Sequence, residues 1–275
     1  MRHILSVFAI TAVAASCSHG HSYPPRNFSW TGDVAPGATV SVANFDGSIA
    51  IVASKNEKLT VDAVILNAAP HAVEVQQSTV GNDVRFCTMI SAHAGDTCGD
   101  GPRQHSTTFS PWSLFSRMHP MTVRYTLHVP SGISVKVETV NGKIAAQDIG
   151  GNVNASTVNG DIVVSTTKGT VNAETVNGSI IASMASLPDS GNVHLETVNG
   201  SITSLIPDGI GGSIDLDNTN GSITANYPNA TPDSGDKHHM RIKLDEGKRR
   251  VTLETVNGSV NLTRYVKPSM VSLLN

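Results

Sequence analysis

Residues 121–129 alternate strictly between apolar and polar. Val123, Tyr125, Leu127 and Val129 fall on one face, and Thr122, Arg124, Thr126 and His128 on the other. A period of two marks a strand that buries one side. The same pattern, bounded by turn-forming residues, predicts strands at 39–45, 48–53, 59–66, 72–77 and 83–89. It stops between 91 and 120, a stretch of many Gly, Ser and Pro with a short apolar patch at Trp112, Leu114 and Phe115. This reads as an insertion into a strand framework, where function often sits.

From residue 131 the alternation becomes repetitive. In the unit 151–165, Val153, Ala155 and Thr157 share one parity, whereas Ile162 and Val164 share the other. The inward face therefore changes register across Asn159-Gly160, and Gly160 is expected to supply backbone freedom for the bend. The corner Thr-Val-Asn-Gly, or a near copy, recurs with its asparagine at Asn141, Asn159, Asn177, Asn199, Asn220 and Asn257, at steps of 18, 18, 22, 21 and 37 residues. Asn44-Phe45-Asp46-Gly47 is an earlier relative.

Two all-β architectures accommodate such a unit. Asn-Gly between alternating segments signals a hairpin, which leads to an antiparallel meander or sandwich. A parallel β-solenoid instead stacks like residues about 4.8 Å apart, and the corner asparagines then form a ladder of amides. Recurrence of the same residue at equivalent positions favours the solenoid, with the N-terminal strands continuous with it. The longer steps become loops bulging from the coil at 183–190, 207–211 and 228–239, and 240–244 adds a further strand.

Composition supports short strands around small side chains: charged residues make up 15% and aromatics 4%, with 24 glycines. A net charge of -3 argues against nucleic acid as a partner. Arg2 and His3 precede an apolar run over 4–15, the length of a signal-peptide core and too short to span a bilayer. Residues 1–17 are thus read as an export signal and 18–29, with Pro24-Pro25, as a tether. The β-repeat domain covers 30–265, divided into strands over 30–130 and repeats over 131–265, and 266–275 is a tail.

Val13-Ala14-Ala15-Ser16-Cys17 resembles a lipobox, which implies a lipid on Cys17; plain secretion is the alternative. Of the three cysteines, Cys87 and Cys98 are close enough in sequence to close a disulfide loop, leaving Cys17 unpaired.

Candidate chemistry is sparse. An acid stands three places before most corner asparagines: Glu138, Glu174, Glu196, Asp217 and Glu254, with Ser156 the exception. By parity these carboxylates point outward, in a stripe that could hold cations or a basic partner or be merely solvated. The corner asparagines read as structural. His19 and His21 could ligate a metal but make a poor site on a tether, Asp96 and Asp100 lack the ligand spacing of a calcium loop, and the adjacent His238-His239 diverge. Lys248-Arg249-Arg250 reads as a solvated basic turn. No nucleophile elbow, zincin or phosphate-loop motif occurs. No metal, cofactor or catalytic residue is expected.

The segments Val40-Ser41-Val42-Ala43-Asn44-Phe45-Asp46-Gly47-Ser48-Ile49 and Tyr125-Thr126-Leu127-His128-Val129-Pro130-Ser131-Gly132, with the corner series, resemble an exported bacterial β-repeat family labelled "putative adhesin" or domain of unknown function. The resemblance implies a β-helical fold at the cell envelope, with some relatives linked to envelope stress, and it brings no catalytic residues. The expected function is a non-enzymatic, adhesin-like binding or structural surface, lipid-anchored or secreted, whose partner is an envelope protein or glycan. An envelope-stress sensor and a polysaccharide-active enzyme are the alternatives.

Overall fold

The computed structural model describes residues 23–90, 98, 121–189, 191–228, 232–244 and 247–266, and every element among them is a strand. The strands form two mostly parallel sheets, one of ten and one of eleven.

The N-terminal third holds β1 (Arg26–Asp33), β2 (Thr39–Ala43), β3 (Ile49–Ala53), β4 (Lys58–Leu66), β5 (Val73–Val80), β6 (Asp83–Ile90) and β7 (Thr122–Val129). The antiparallel run β1-β4-β7 closes one end of the ten-stranded sheet, and the hairpin β5-β6 closes the same end of the other. β1 corrects the expected tether, because a strand begins at Arg26 rather than after residue 29. Its half-buried face carries Phe28 and Trp30, whose rings meet Phe86 edge-on at 6.2 and 5.3 Å. These contacts join the two sheets across the end of the molecule.

The repeats follow as β8 (Ser134–Asn141), β9 (Ile144–Ile149), β10 (Val153–Asn159), β11 (Ile162–Thr166), β12 (Val171–Asn177), β13 (Ile180–Met184), β14 (Val193–Asn199) and β15 (Ile202–Ile206). Even-numbered strands lie parallel in the eleven-stranded sheet and odd-numbered ones in the other, so each Asn-Gly corner carries the chain between sheets instead of closing a hairpin. Thr157 pairs with Thr175 and Asn159 with Asn177, one coil directly above the next. Inward Val153, Ala155, Ile162 and Val164 are all but inaccessible and belong to one continuous core. β2 and β3 extend this stack in register with β8 and β9.

The last third departs from sequence order. It contains β16 (Gly212–Asn220), β17 (Ile223–Asn226), β18 (Pro232–Gly235), β19 (His239–Lys243), β20 (Arg249–Asn257) and β21 (Val260–Arg264). The spatial orders are β14-β20-β16-β19-β18 and β15-β21-β17, so the final coil is inserted between two coils that precede it in the chain. Segment 207–211 is therefore a climb past a vacant level rather than a bulge, and Tyr227 steadies it by donating from its hydroxyl to the Pro207 carbonyl at 2.6 Å. The chain returns through Gly247, whose backbone lies so close to Gly211 that a methyl there would overlap it.

Candidate functional site

Each residue of the corner motif can be assigned a physical task by its contacts. The threonine points inward and donates its hydroxyl to the glycine carbonyl of the adjacent coil: Thr175 to Gly160 at 3.0 Å, Thr197 to Gly178 at 2.8 Å and Thr255 to Gly200 at 2.8 Å. This satisfies a buried hydroxyl that would otherwise be costly to desolvate.

The glycine permits close approach. A Cβ on Gly160 or Gly178 would run into the carbonyl of the glycine one coil away, and neither residue has a positive φ. The expected role in backbone freedom is thus corrected to one of space.

The asparagines form the ladder. The Nδ2 of Asn159 donates to Asn141 Oδ1 at 2.8 Å, Asn177 to Asn159 at 2.8 Å and Asn199 to Asn177 at 2.9 Å; Asn257 then donates to Asn199 at 2.8 Å, and Asn220 to Asn257 at 3.0 Å. Its order follows space rather than sequence. Every amide donates toward the N-terminal end.

The valine is left with no polar task, and it faces outward. Val140, Val158, Val176 and Val256 are about two-fifths exposed, Val198 is half-buried, and Phe45, the most exposed at 51%, occupies the same place in the first coil. Together they make an apolar ridge along the stack, with one side chain per coil up to the last, where Thr219 stands in the same place. Sequence reasoning passed over them, although parity two residues after the outward acid contains the signal.

Beside the ridge runs the acid column, in the spatial order Glu138, Ser156, Glu174, Glu196, Glu254, Asp217. Several acids carry a basic neighbour: Lys136 lies 2.9 Å from Glu138, His194 lies 3.3 Å from Glu196, and His239 Nδ1 contacts Asp217 directly. Among the described residues no group of three or more His, Cys, Asp or Glu is arranged to hold a metal ion. On the far side of the acids, Asn172 Nδ2 donates to Asn154 Oδ1 at 3.3 Å, a second and shorter amide ladder. The outer face of the eleven-stranded sheet is therefore ruled in columns: a mixed polar column that includes Lys136, Asn154, Asn172 and His194, then carboxylates, valines, and the corner amides.

The remaining candidates are distributed over the ends of the stack. Cys87 and Cys98 are joined by a disulfide with their Cα atoms 5.6 Å apart. His238 and His239 belong to the C-terminal cap: His238 Nδ1 meets Asn218 Oδ1 at 2.9 Å, and Asp236 accepts the backbone N–H of both histidines, which lowers its pKa below the ordinary 3.8. Lys248 and Arg250 are exposed, but Arg249 corrects the expectation of a solvated turn. Its guanidinium donates to the Pro188 carbonyl at 2.8 Å and to Asp189 at 2.6 Å, fixing the start of β20 to the loop between β13 and β14. Cys17, His19, His21, Asp96, Asp100, the rest of the 91–120 insertion and the tail beyond 266 lie outside the described residues.

No family model and no curated protein matches this sequence. Solved structures do resemble it. A "putative cell adhesion protein" from Clostridium sporogenes shares 10% identity over 88% of this chain and all of its own, with a TM-score of 0.50, and so shares the fold. A "putative adhesin" from Bacteroides fragilis, at 10% identity over 86% of this chain and 97% of its own, has a TM-score of 0.39.

Proposed function

We propose that this protein is a non-enzymatic, adhesin-like envelope component that binds through the ruled face of its eleven-stranded sheet. The observation supporting this reading is the apolar ridge from Phe45 to Val256, repeated once per coil with no structural polar task and flanked by carboxylates and amides. A rigid array with a spacing of about 4.8 Å suits an extended, repetitive partner such as an envelope glycan or a strand-like protein segment. The adhesion-protein name of a structure with the same fold is in keeping with it. Export and a lipid on Cys17 belong to the same proposal, since an adhesive face must be held at a surface; no helix among the described residues is long and apolar enough to cross a membrane.

The test is adhesion of beads carrying the mature protein to bacterial envelopes and to immobilised envelope glycans. Replacing Val158 and Val176 with Glu should abolish adhesion, whereas Ile181→Glu, on the outer face of the other sheet, should preserve it. Equal adhesion by all three proteins would refute the assignment of the face. For the anchor, a Cys17→Ser variant should lose its membrane partitioning.

A further inference from the structure

The final coil, β20–β21, occupies a slot whose two walls come from earlier parts of the chain. β20 pairs in register with β14 on one side and β16 on the other, and β21 does the same between β15 and β17. Until residues 247–266 arrive, two parallel edges of matching register await a coil. Such edges are templates for any strand with matching register.

Several groups of the coil reach outward from 249–265 to residues of the slot. Arg249 grips Pro188 and Asp189, the backbone N–H of Arg250 donates to Asn192 at 3.2 Å, Arg264 pairs with Asp208 at 3.2 Å, and the Tyr265 N–H donates to Ile206 at 2.7 Å. None of these contacts depends on the coil belonging to the same chain as the slot. Only the connection between Leu244 and Gly247 makes them intramolecular.

The side chains also prevent the neighbouring coil from being an equal substitute. Where β20 presents Thr255 to the Gly200 carbonyl, β16 presents Asn218, which bonds the cap through His238; β14–β15 matches Thr255 with its own Thr197 but places Ile206 where β21 places Arg264. The slot therefore selects the β20–β21 sequence, and the copy of that sequence nearest in kind is the one in another molecule of the same protein.

We propose that a second copy of this chain supplies β20–β21 to the slot, so that two copies join by reciprocal coil exchange. Exchange of an identical element costs no contact beyond the connection, and it competes with closure by the chain's own coil at an effective concentration on the order of millimolar. Dimers should therefore form when molecules fold close together, as at a crowded surface, and persist afterwards because escape requires withdrawing a coil from between two sheet neighbours on each side. The ruled binding face is complete in either state, so this proposal and the adhesive reading stand or fall separately.

The test refolds the full chain, in a Cys17→Ser background, at increasing protein concentration, with light scattering as the readout. The dimer fraction should rise with concentration and survive dilution. Thr203 and Asn261 are register partners on β15 and β21. A mixture of the single variants Thr203→Cys and Asn261→Cys, refolded together and oxidised, should yield a covalent heterodimer. The double variant, oxidised as native monomer before denaturation, should refold only as monomer. Monomer at every concentration, no covalent heterodimer, or equal dimerisation of the pre-linked double variant would each overturn the proposal.

Discussion

The two ends of the stack solve the same problem with different chemistry. At both ends the inward threonine column stops in an asparagine, Asn44 before Thr139 and Asn218 beyond Thr255, and both are buried. An asparagine can bond irregular capping strands that a threonine cannot reach. Asn44 does so fully: its Nδ2 donates to Val123 at 2.8 Å, and its Oδ1 accepts from Thr88 at 2.7 Å, whose hydroxyl also lies 2.8 Å from that of buried Tyr125. Asn218 does so in part, since its Oδ1 meets His238 while its buried Nδ2 has no hydrogen-bond partner among the described residues. The N-terminal cap covers both sheets, joins them through Phe28, Trp30 and Phe86, and is covalently tied by Cys87–Cys98. The C-terminal hairpin β18–β19 covers one sheet, and the other ends on the four-residue β17. Stability should thus decline from the first coil to the last, as expected where each coil is held only by its neighbours.

The largest expected effect separates the caps directly. Phe86→Ala should cost about 3–5 kcal/mol and lower the midpoint of global urea unfolding. Ile242→Ala in β19, although equally buried, should act locally, speeding amide exchange in β16 and β19 while β8 to β13 keep their protection. Next, reducing Cys87–Cys98 should remove roughly 2–3 kcal/mol, seen as a lower unfolding midpoint with reductant, while exchange in the C-terminal hairpin stays unchanged.

A matched pair of substitutions then tests the asparagines. Asn44→Thr should cost about 1–3 kcal/mol by stranding buried groups on Thr88 and Val123, whereas Asn218→Thr should cost less, about 0.5–1 kcal/mol, because it forfeits the single bond to His238. Equal losses in chemical denaturation would dissolve the contrast.

The smallest effects concern pH, and the ends should respond in opposite directions. Burial raises the Tyr125 pKa above the ordinary 10.0, so the folded state prefers the neutral phenol. Its contribution is present below pH 10 and is lost as the pH rises beyond that value. Asp236 is lowered by the backbone N–H groups of His238 and His239, so its contribution is present above the ordinary 3.8 and is lost as the pH falls through it. Amide exchange should accordingly show the N-terminal cap loosening first in alkali and the C-terminal hairpin first in acid.

Strand positions and stacking were legible because like residues recur at coil spacing and alternate in burial. The order of the last coils was not, since a period states what a coil looks like and not which neighbour it meets. The clue was chemical: Asn218 breaks the threonine column and so marks an end coil, while Thr255 marks an interior one. Arg249 was misread because its partners are loop carbonyls some sixty residues earlier, a relation local composition does not encode. β1 was overlooked because its half-buried face mixes Arg26 with Phe28 and Trp30, so it looked polar beside the proline pair. Among candidate residues, the acids and asparagines were located by position; the valines between them needed the structure to reveal that the other three motif residues were already occupied.

The corner motif also has a consequence for how such proteins diversify. Its threonine, asparagine and glycine each bond only to the neighbouring coil, so duplicating one eighteen-residue unit, such as that between Asn159 and Asn177, reproduces every contact it needs at both new junctions. Each duplication would lengthen the molecule by about 4.8 Å and add one valine and one outward row to the ridge. The reach of the surface is in this sense a count of inherited copies, limited by the two asparagine-marked caps.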